Sequence, residues 1–197
     1  MAKIKSNRTS TRKEMIVAKA AQLFREKGYS ATSMRDLAEH VGVEAASLYN
    51  HISSKAEILQ DICFRVATRF VLFIEEVDAS NKASIDKIEQ ILRFHIRQMI
   101  ENYEEVYVSD REWKHLTDPY LSNMQSQRRA YRQRMGLIIE EGVRKGEIKA
   151  IDATTAVLIM LHAVSGIESW HRSKRKIDGD RLEENMVQIL VGGLKKQ

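Results

Sequence analysis

The sequence is poor in residues that interrupt helices or staple small folds. Among 197 residues there is one proline, Pro119, one cysteine, Cys63, and only nine glycines. A lone cysteine excludes an internal disulfide framework and fits a reducing compartment. So few breakers point to a mostly helical chain. No uncharged run reaches the roughly 20 apolar residues of a membrane span. The first 13 residues carry no apolar segment of the kind a secretory signal needs. A cytoplasmic protein without a membrane partner is expected. With 43% hydrophobic and 30% charged residues, the chain is neither a disordered tail nor collagen-like. A chain of this length buries roughly 70% of its unfolded surface, enough for a real core.

The net charge of +5 is mild, and its placement says more than its size. Lys3, Lys5, Arg8, Arg12 and Lys13 all precede the first acid, Glu14. Such a basic arm can reach phosphates, or can be a solvated terminus. Residues 63–197 carry 22 basic and 20 acidic side chains, so most of the chain is not a nucleic-acid surface.

Apolar spacing predicts about nine helices and no sheet. Residues 12–27 repeat Ile16, Ala20, Leu23 and Phe24, and Gly28 stands where a C-terminal cap belongs. Ser33 with Asp36 opens a short helix over 34–40 in the manner of a capping box. Gly42 breaks the chain, and a second short helix carries Leu48 inward and ends near His51. Ser54 with Glu57 opens a long helix over 55–78, stepped by Leu59, Ile62, Val66, Phe70, Phe73 and Val77. Further helices are expected over 84–103, around Trp113, from Pro119 to about residue 145 with Gly146 as its cap, over 153–173 behind Asp152, and to about residue 194.

Two short helices around Val41-Gly42-Val43-Glu44 make a helix-turn-helix candidate, with glycine supplying a left-handed turn. The second would lie in the major groove and present Ala45, Ala46, Ser47, Tyr49, Asn50 and His51. Asn50 suits adenine, and the small residues let the backbone approach the bases. Ser33, Arg35, Tyr49, His51 and Lys55 complete the candidate DNA contacts, the hydroxyls and cations facing phosphates.

A longer pattern surrounds this hairpin. Ala20-Ala21-Gln22-Leu23-Phe24, Lys27-Gly28-Tyr29 and Thr32-Ser33-Met34-Arg35-Asp36-Leu37-Ala38 are followed by Val41-Gly42-Val43, Ser47-Leu48-Tyr49-Asn50-His51 and Lys55-Ala56-Glu57-Ile58-Leu59. Residues 12–59 thereby resemble the DNA-binding domain of the TetR family of transcriptional regulators. Glu44 stands where the family often has Ser or Thr, Ala46 where it often has Gly, and Ile52 where Phe is usual. The resemblance implies an all-α protein. Its N-terminal three-helix helix-turn-helix domain would span residues 1–57, and a helical effector-binding and dimerisation domain residues 58–197. It also implies a homodimer on a palindrome-like double-stranded operator, and phosphate contacts at Ser33, Tyr49 and Lys55.

The helix over 153–173 is apolar on most sides and needs burial all round. Ala156, Ala163 and Gly166 are small enough for close helix contact, and Met186, Ile189 and Gly193 line the last helix. Both helices are expected at a dimer interface, as in the resembled family, or inside one domain. His95, Met99, Trp113, Tyr131, Met135, His162, Trp170 and Arg172 are the candidate lining of a small-molecule effector pocket. The run Gly166-Ile167-Glu168-Ser169-Trp170-His171-Arg172 resembles the Trp-x-Arg segment of family members that sense acyl-CoA thioesters. Arg172, Lys174, Arg175 and Lys176 suit CoA phosphates, or simply offset the helix dipole.

The six histidines show no His-x-x-x-His pair and no Cys-His cluster, and only a meeting of His95 with His162 would gather two of them. There is no Gly-rich phosphate loop and no nucleophile motif, so neither an enzyme nor a cofactor is expected. The reading is a dimeric, ligand-responsive repressor coupled through the helix over 55–78, set against an effector-independent architectural DNA binder.

Overall fold

The computed structural model of the chain describes residues 2–173 and 177–195, with side chains from residue 12 onward. The described residues form ten α-helices and one 3-10 turn, with a lone bridge between Ile148 and Lys195 and no strand. The helices are α1 (Ala2–Lys27), α2 (Met34–Val41), α3 (Ala45–Tyr49), α4 (Lys55–Ala79), α5 (Ser84–Glu101), α6 (Tyr103–Arg111), α7 (Tyr120–Lys145), α8 (Ala153–Ser165), α9 (Ile167–Arg172) and α10 (Gly179–Gly192). The 3-10 turn is Trp113–His115. The expected all-α architecture stands. None of these helices is long and apolar enough to cross a membrane.

Local chemistry places the boundaries. Gly28, Gly42 and Gly146 each adopt positive φ, between 74° and 85°, and end α1, α2 and α7. Asp152 caps α8 by accepting the Thr155 amide at 2.7 Å. Two expectations shift. Residues 2–11, read as a basic arm, belong to α1. The single helix expected over 153–173 is divided at Gly166 into α8 and α9.

The chain divides into two compact units: Met1–Ala67 with Glu104–Gln125, and Thr68–Tyr103 with Ser126–Gln197. This differs from the 57/58 boundary read from sequence. The reason is the core of the first unit. It buries Ile58, Leu59, Ile62 and Cys63 from α4 together with Ile16, Phe24, Leu37 and Leu48, and closes with Val108, Leu116 and Met124. Each such large apolar side chain contributes roughly 1.5–3 kcal/mol of burial.

In the second unit α5 packs on α8, α9 and α10. Its buried face is Ile88, Ile91, Leu92, His95, Ile96 and Met99. Gly142 permits a close approach within this unit. A Cβ there would lie 2.5 Å from Ile148 Cδ1 and 2.9 Å from Ser84 Cβ.

Candidate nucleic-acid interface

The hairpin is built from α2 and α3. Ser33 accepts the Asp36 amide at 3.1 Å, and Asp36 accepts the Ser33 amide at 2.8 Å, closing a reciprocal capping box. The Ser33 hydroxyl proton also goes to Asp36. The two Ser33 bonds, with Lys27 at 3.2 Å, hold the Asp36 carboxyl well below the ordinary carboxylate range. Gly42, at φ 81°, donates to the Ala38 and Glu39 carbonyls and turns the chain into α3.

The α3 helix is five residues long, and Glu44 makes no side-chain cap on it. Leu48 is fully buried on one side. Ala45, Ala46, Tyr49 and Asn50 are exposed on the other, at helical spacing, with Ser47 and His51 half-buried. Tyr49 is 53% exposed. Arg35 is exposed on α2. His51 Nδ1 is buried and makes no hydrogen bond among the described residues.

Two basic residues expected near phosphates have internal partners. Lys13 Nζ lies 2.8 Å from Glu57 Oε1. Glu57 also accepts the Ser53 amide at 2.8 Å and the Ser53 hydroxyl at 2.6 Å, while Ser54 Oγ accepts the Glu57 amide at 3.1 Å. The box expected at Ser54 is therefore shared between Ser53 and Ser54. The Lys13 and Ser53 bonds pull the Glu57 carboxyl down to about 2. Lys55 Nζ donates to the carbonyls of Tyr29 and Thr32, both at 2.7 Å, and reaches Ser30 O at 3.5 Å. It sits 4.3 Å from the Tyr29 ring centroid. The ammonium expected at a phosphate is engaged by backbone.

The effector candidates do not converge on one place. His95 and Tyr131 meet, Nε2 to hydroxyl oxygen at 2.7 Å. Phe70 stands edge-on to His95 at 4.6 Å and to Phe94 at 5.1 Å, and Phe73 stacks on Phe94 at 4.0 Å. Burial pushes the Tyr131 phenol far up, so it stays neutral. Met99 and Met135 are also buried in this unit. Trp113 is not part of this group: it packs on the core of the first unit. His162 is exposed on α8, so the meeting of His95 with His162 does not occur. No group of three metal-ligating side chains is gathered among the described residues. Trp170 donates to Ile177 O at 3.0 Å, His171 Nε2 lies 2.7 Å from Met99 O, and exposed Arg172 is paired with Glu168. Lys174, Arg175 and Lys176 lie outside the described residues.

Of the residues expected at a dimer interface, Ala156 is buried within the chain and faces the subunit interior with Val157 and Met160. Ile189 is 72% exposed, Gly166 and Gly193 are exposed, and Ala163 and Met186 are half-buried. The open face of α8 carries Thr154, Thr155, Leu158, Ile159 and His162. Leu158 and Ile159 on that face are each 55% exposed. Which way a helix apolar on most sides faces is not written in its own spacing.

A capped two-helix hairpin that buries one side of its second helix and bares the other, followed by a separate helical unit, defines a helix-turn-helix regulator. The match to family models extends this. Residues 16–62 match the bacterial regulatory proteins of the tetR family, and residues 81–194 the tetracyclin repressor-like C-terminal domain. The chain belongs to the TetR family, whose members are DNA-binding transcriptional regulators. It is 25% identical to the HTH-type transcriptional repressor KstR2 of Rhodococcus jostii over 190 residues, 94% of this chain and 92% of the relative. It is 28% identical to IcaR of Staphylococcus aureus, a negative transcriptional regulator of the biofilm operon icaADBC, over 81% of this chain and 82% of the relative. Among solved structures, KstR2 of Mycobacterium tuberculosis, a ketosteroid transcriptional regulator, superposes with a TM-score of 0.87 at 19% identity, covering 94% of this chain and 96% of the other. AibR, solved in complex with isovaleryl coenzyme A and operator DNA, gives 0.79 at 22% identity over 91% and 98%.

Proposed function

We propose that the chain is a homodimeric repressor that holds an operator through the exposed face of α3 and releases it when a hydrophobic effector, of the acyl-CoA class, binds the second unit. The observation that carries the DNA half is the division of α3: Leu48 anchors it in the core while Ala45, Ala46, Tyr49 and Asn50 are left to solvent. Asn50 supplies bidentate donor and acceptor for an adenine edge, the alanines meet thymine methyls, and Tyr49 and Arg35 reach phosphates. On this reading the work is cytoplasmic, where operator DNA would be met.

Dimerisation is supported by the bare apolar surface of α8 and α10, where Leu158, Ile159 and Ile189 stand open. The effector half is supported by the His95–Tyr131 pair among Phe70, Phe73 and Phe94, one polar contact inside an aromatic cluster. The fold neighbour bound to isovaleryl coenzyme A favours an acyl-CoA, with Arg172, exposed and paired with Glu168, as a candidate for its phosphates. The α4 helix begins in the first unit and ends in the second, a continuous element for coupling them. By linkage the effector binds the DNA-free form more tightly than the DNA-bound one.

The test is selection of bound fragments from the source genome by purified protein, repeated with isovaleryl-CoA and a longer acyl-CoA present. A recurring inverted repeat, lost when an acyl-CoA is added, is expected. Sequence-independent recovery that vanishes at modest salt would leave an architectural binder instead. A repeat indifferent to both thioesters would remove the effector class and keep the regulator.

A further inference from the structure

The α8 helix holds no Asp, Glu, Lys or Arg between Ala153 and Ser165, and its one titratable side chain is His162. His162 is exposed and stands four residues beyond Leu158 and three beyond Ile159, so it shares their open face. An imidazole is thus set into the bare apolar surface itself.

The ring is already oriented. Its Nδ1 lies 2.9 Å from Leu158 O, which can only accept, so Nδ1 carries a proton. In the neutral ring Nε2 is then a lone pair, and charging the ring adds an N–H there. Among the described residues His162 is paired with no carboxylate. The elements around it keep their charges occupied. On α9, Glu168 is bonded to Arg172, and His171 lies against Met99 O. On α5, Arg93 and Arg97 are held by Glu183, Glu89 is bonded to Arg93, and Lys87 donates to Asp78 O, while Asp86 and Glu101 sit toward the two ends of the helix. The open side of α10 adds Asp180, Arg181 and Glu184, the last bonded to Arg93.

We infer that His162 is a proton switch on self-association: the chain pairs with a second copy while this imidazole is neutral and comes apart when it is charged. This rests on the dimer proposed above. In a two-fold pair the same face serves both copies, so two such rings are taken out of water in each dimer. Desolvation without a counter-charge disfavours the charged form. The dimer therefore binds fewer protons than two free chains, and acid drives dissociation. Imidazoles ordinarily change charge between about pH 5 and 8, so the switch works near neutrality.

The test is sedimentation equilibrium of the full chain at about pH 7.5 and about pH 5.5, at constant ionic strength, with helicity followed by circular dichroism. Wild type is compared with His162→Gln and His162→Lys. The wild-type dissociation constant is expected to rise at least about tenfold in acid. His162→Gln should keep the neutral-pH affinity at both values, and His162→Lys should be weak at both. The same acid response in wild type and His162→Gln would place the titrating group elsewhere and overturn the inference. Tighter association of wild type in acid would do so too, since it would mean that a carboxylate of the second copy, from Asp180 or Glu184, meets the charged ring. A dimer indifferent to pH removes the switch alone, whereas a chain monomeric at every pH and concentration removes the dimer reading and the switch with it.

A second measurement locates the ring. Wild-type protein is treated with diethyl pyrocarbonate above and below its dissociation constant, and modification is read by mass spectrometry. His162 is expected to lose reactivity in the dimer, while the exposed His115 of the first unit reacts alike in both. Equal reactivity of His162 in dimer and monomer would overturn the inference even if acid splits the dimer.

Discussion

Arg97 on α5 and Glu183 on α10 form a two-pronged bridge, Nε to Oε2 at 2.7 Å and Nη2 to Oε1 at 3.0 Å. Arg93 adds a third bond to the same carboxylate at 3.0 Å. Glu183 is only 4% exposed. Burial pushes its carboxyl up, but the bonds from Arg97 and Arg93 outweigh burial and hold it below the ordinary range. The helix expected to meet a partner subunit is thus pinned to the helix that carries His95.

Removing that carboxylate leaves two guanidinium groups without it. Glu183→Ala is expected to cost about 2 kcal/mol in urea unfolding. Glu184→Ala, at an exposed partner of Arg93, should cost under about 0.5 kcal/mol. Equal costs would show that burial of Glu183 adds nothing.

Glu57 gives a pH signature. Its carboxyl is pulled down from 4.5 to about 2 when the chain folds. A depressed carboxyl binds fewer protons folded than unfolded, so its contribution is complete above 4.5 and is lost as pH falls toward 2. Partial exposure screens it to about 1 kcal/mol. The stability gap between wild type and Glu57→Gln should therefore shrink between near-neutral pH and about pH 3. A constant gap would show that Glu57 acts through packing alone.

The bare face of α8 and α10 gives an association test. Leu158→Glu combined with Ile189→Glu should weaken self-association by at least about 2 kcal/mol. Monomer should then appear in sedimentation equilibrium, with helicity unchanged because both side chains are already exposed. Wild-type association in the double variant would place the interface elsewhere.

The His95–Tyr131 contact predicts coupling. Tyr131→Phe should cost about 1 kcal/mol, one buried hydrogen bond. Combined with His95→Leu, the two losses should add to more than the double variant's cost. Strict additivity would mean that the pair at 2.7 Å contributes nothing as a pair.

What the sequence made legible was local. Gly28, Gly42 and Gly146 were read as helix ends and adopt the left-handed conformation that only glycine enters readily. Ser33 with Asp36 and the inward Leu48 were equally readable, because capping and amphipathic spacing act within a few residues. What spacing could not show depends on distant partners. The acceptors of Lys55 lie 23 to 26 residues earlier in the chain, so a lysine at a helix start looked free for phosphate. Trp113 lay on an apolar stripe, but which core it joins follows from the way residues 104–125 return to the first unit. Ala156 and Leu158, two positions apart, lie on opposite sides of one apolar helix, and which of those sides faces inward was set by tertiary packing.

The five residues of α3 give only Leu48 to the core. Ala45, Ala46, Tyr49 and Asn50 can be exchanged without disturbing a packed neighbour. If α3 reads the operator as proposed, folding and address are written in different letters of the same short helix. A lineage, or an engineer, can redirect such a regulator to new promoters by rewriting those surface letters while the scaffold that presents them stays intact.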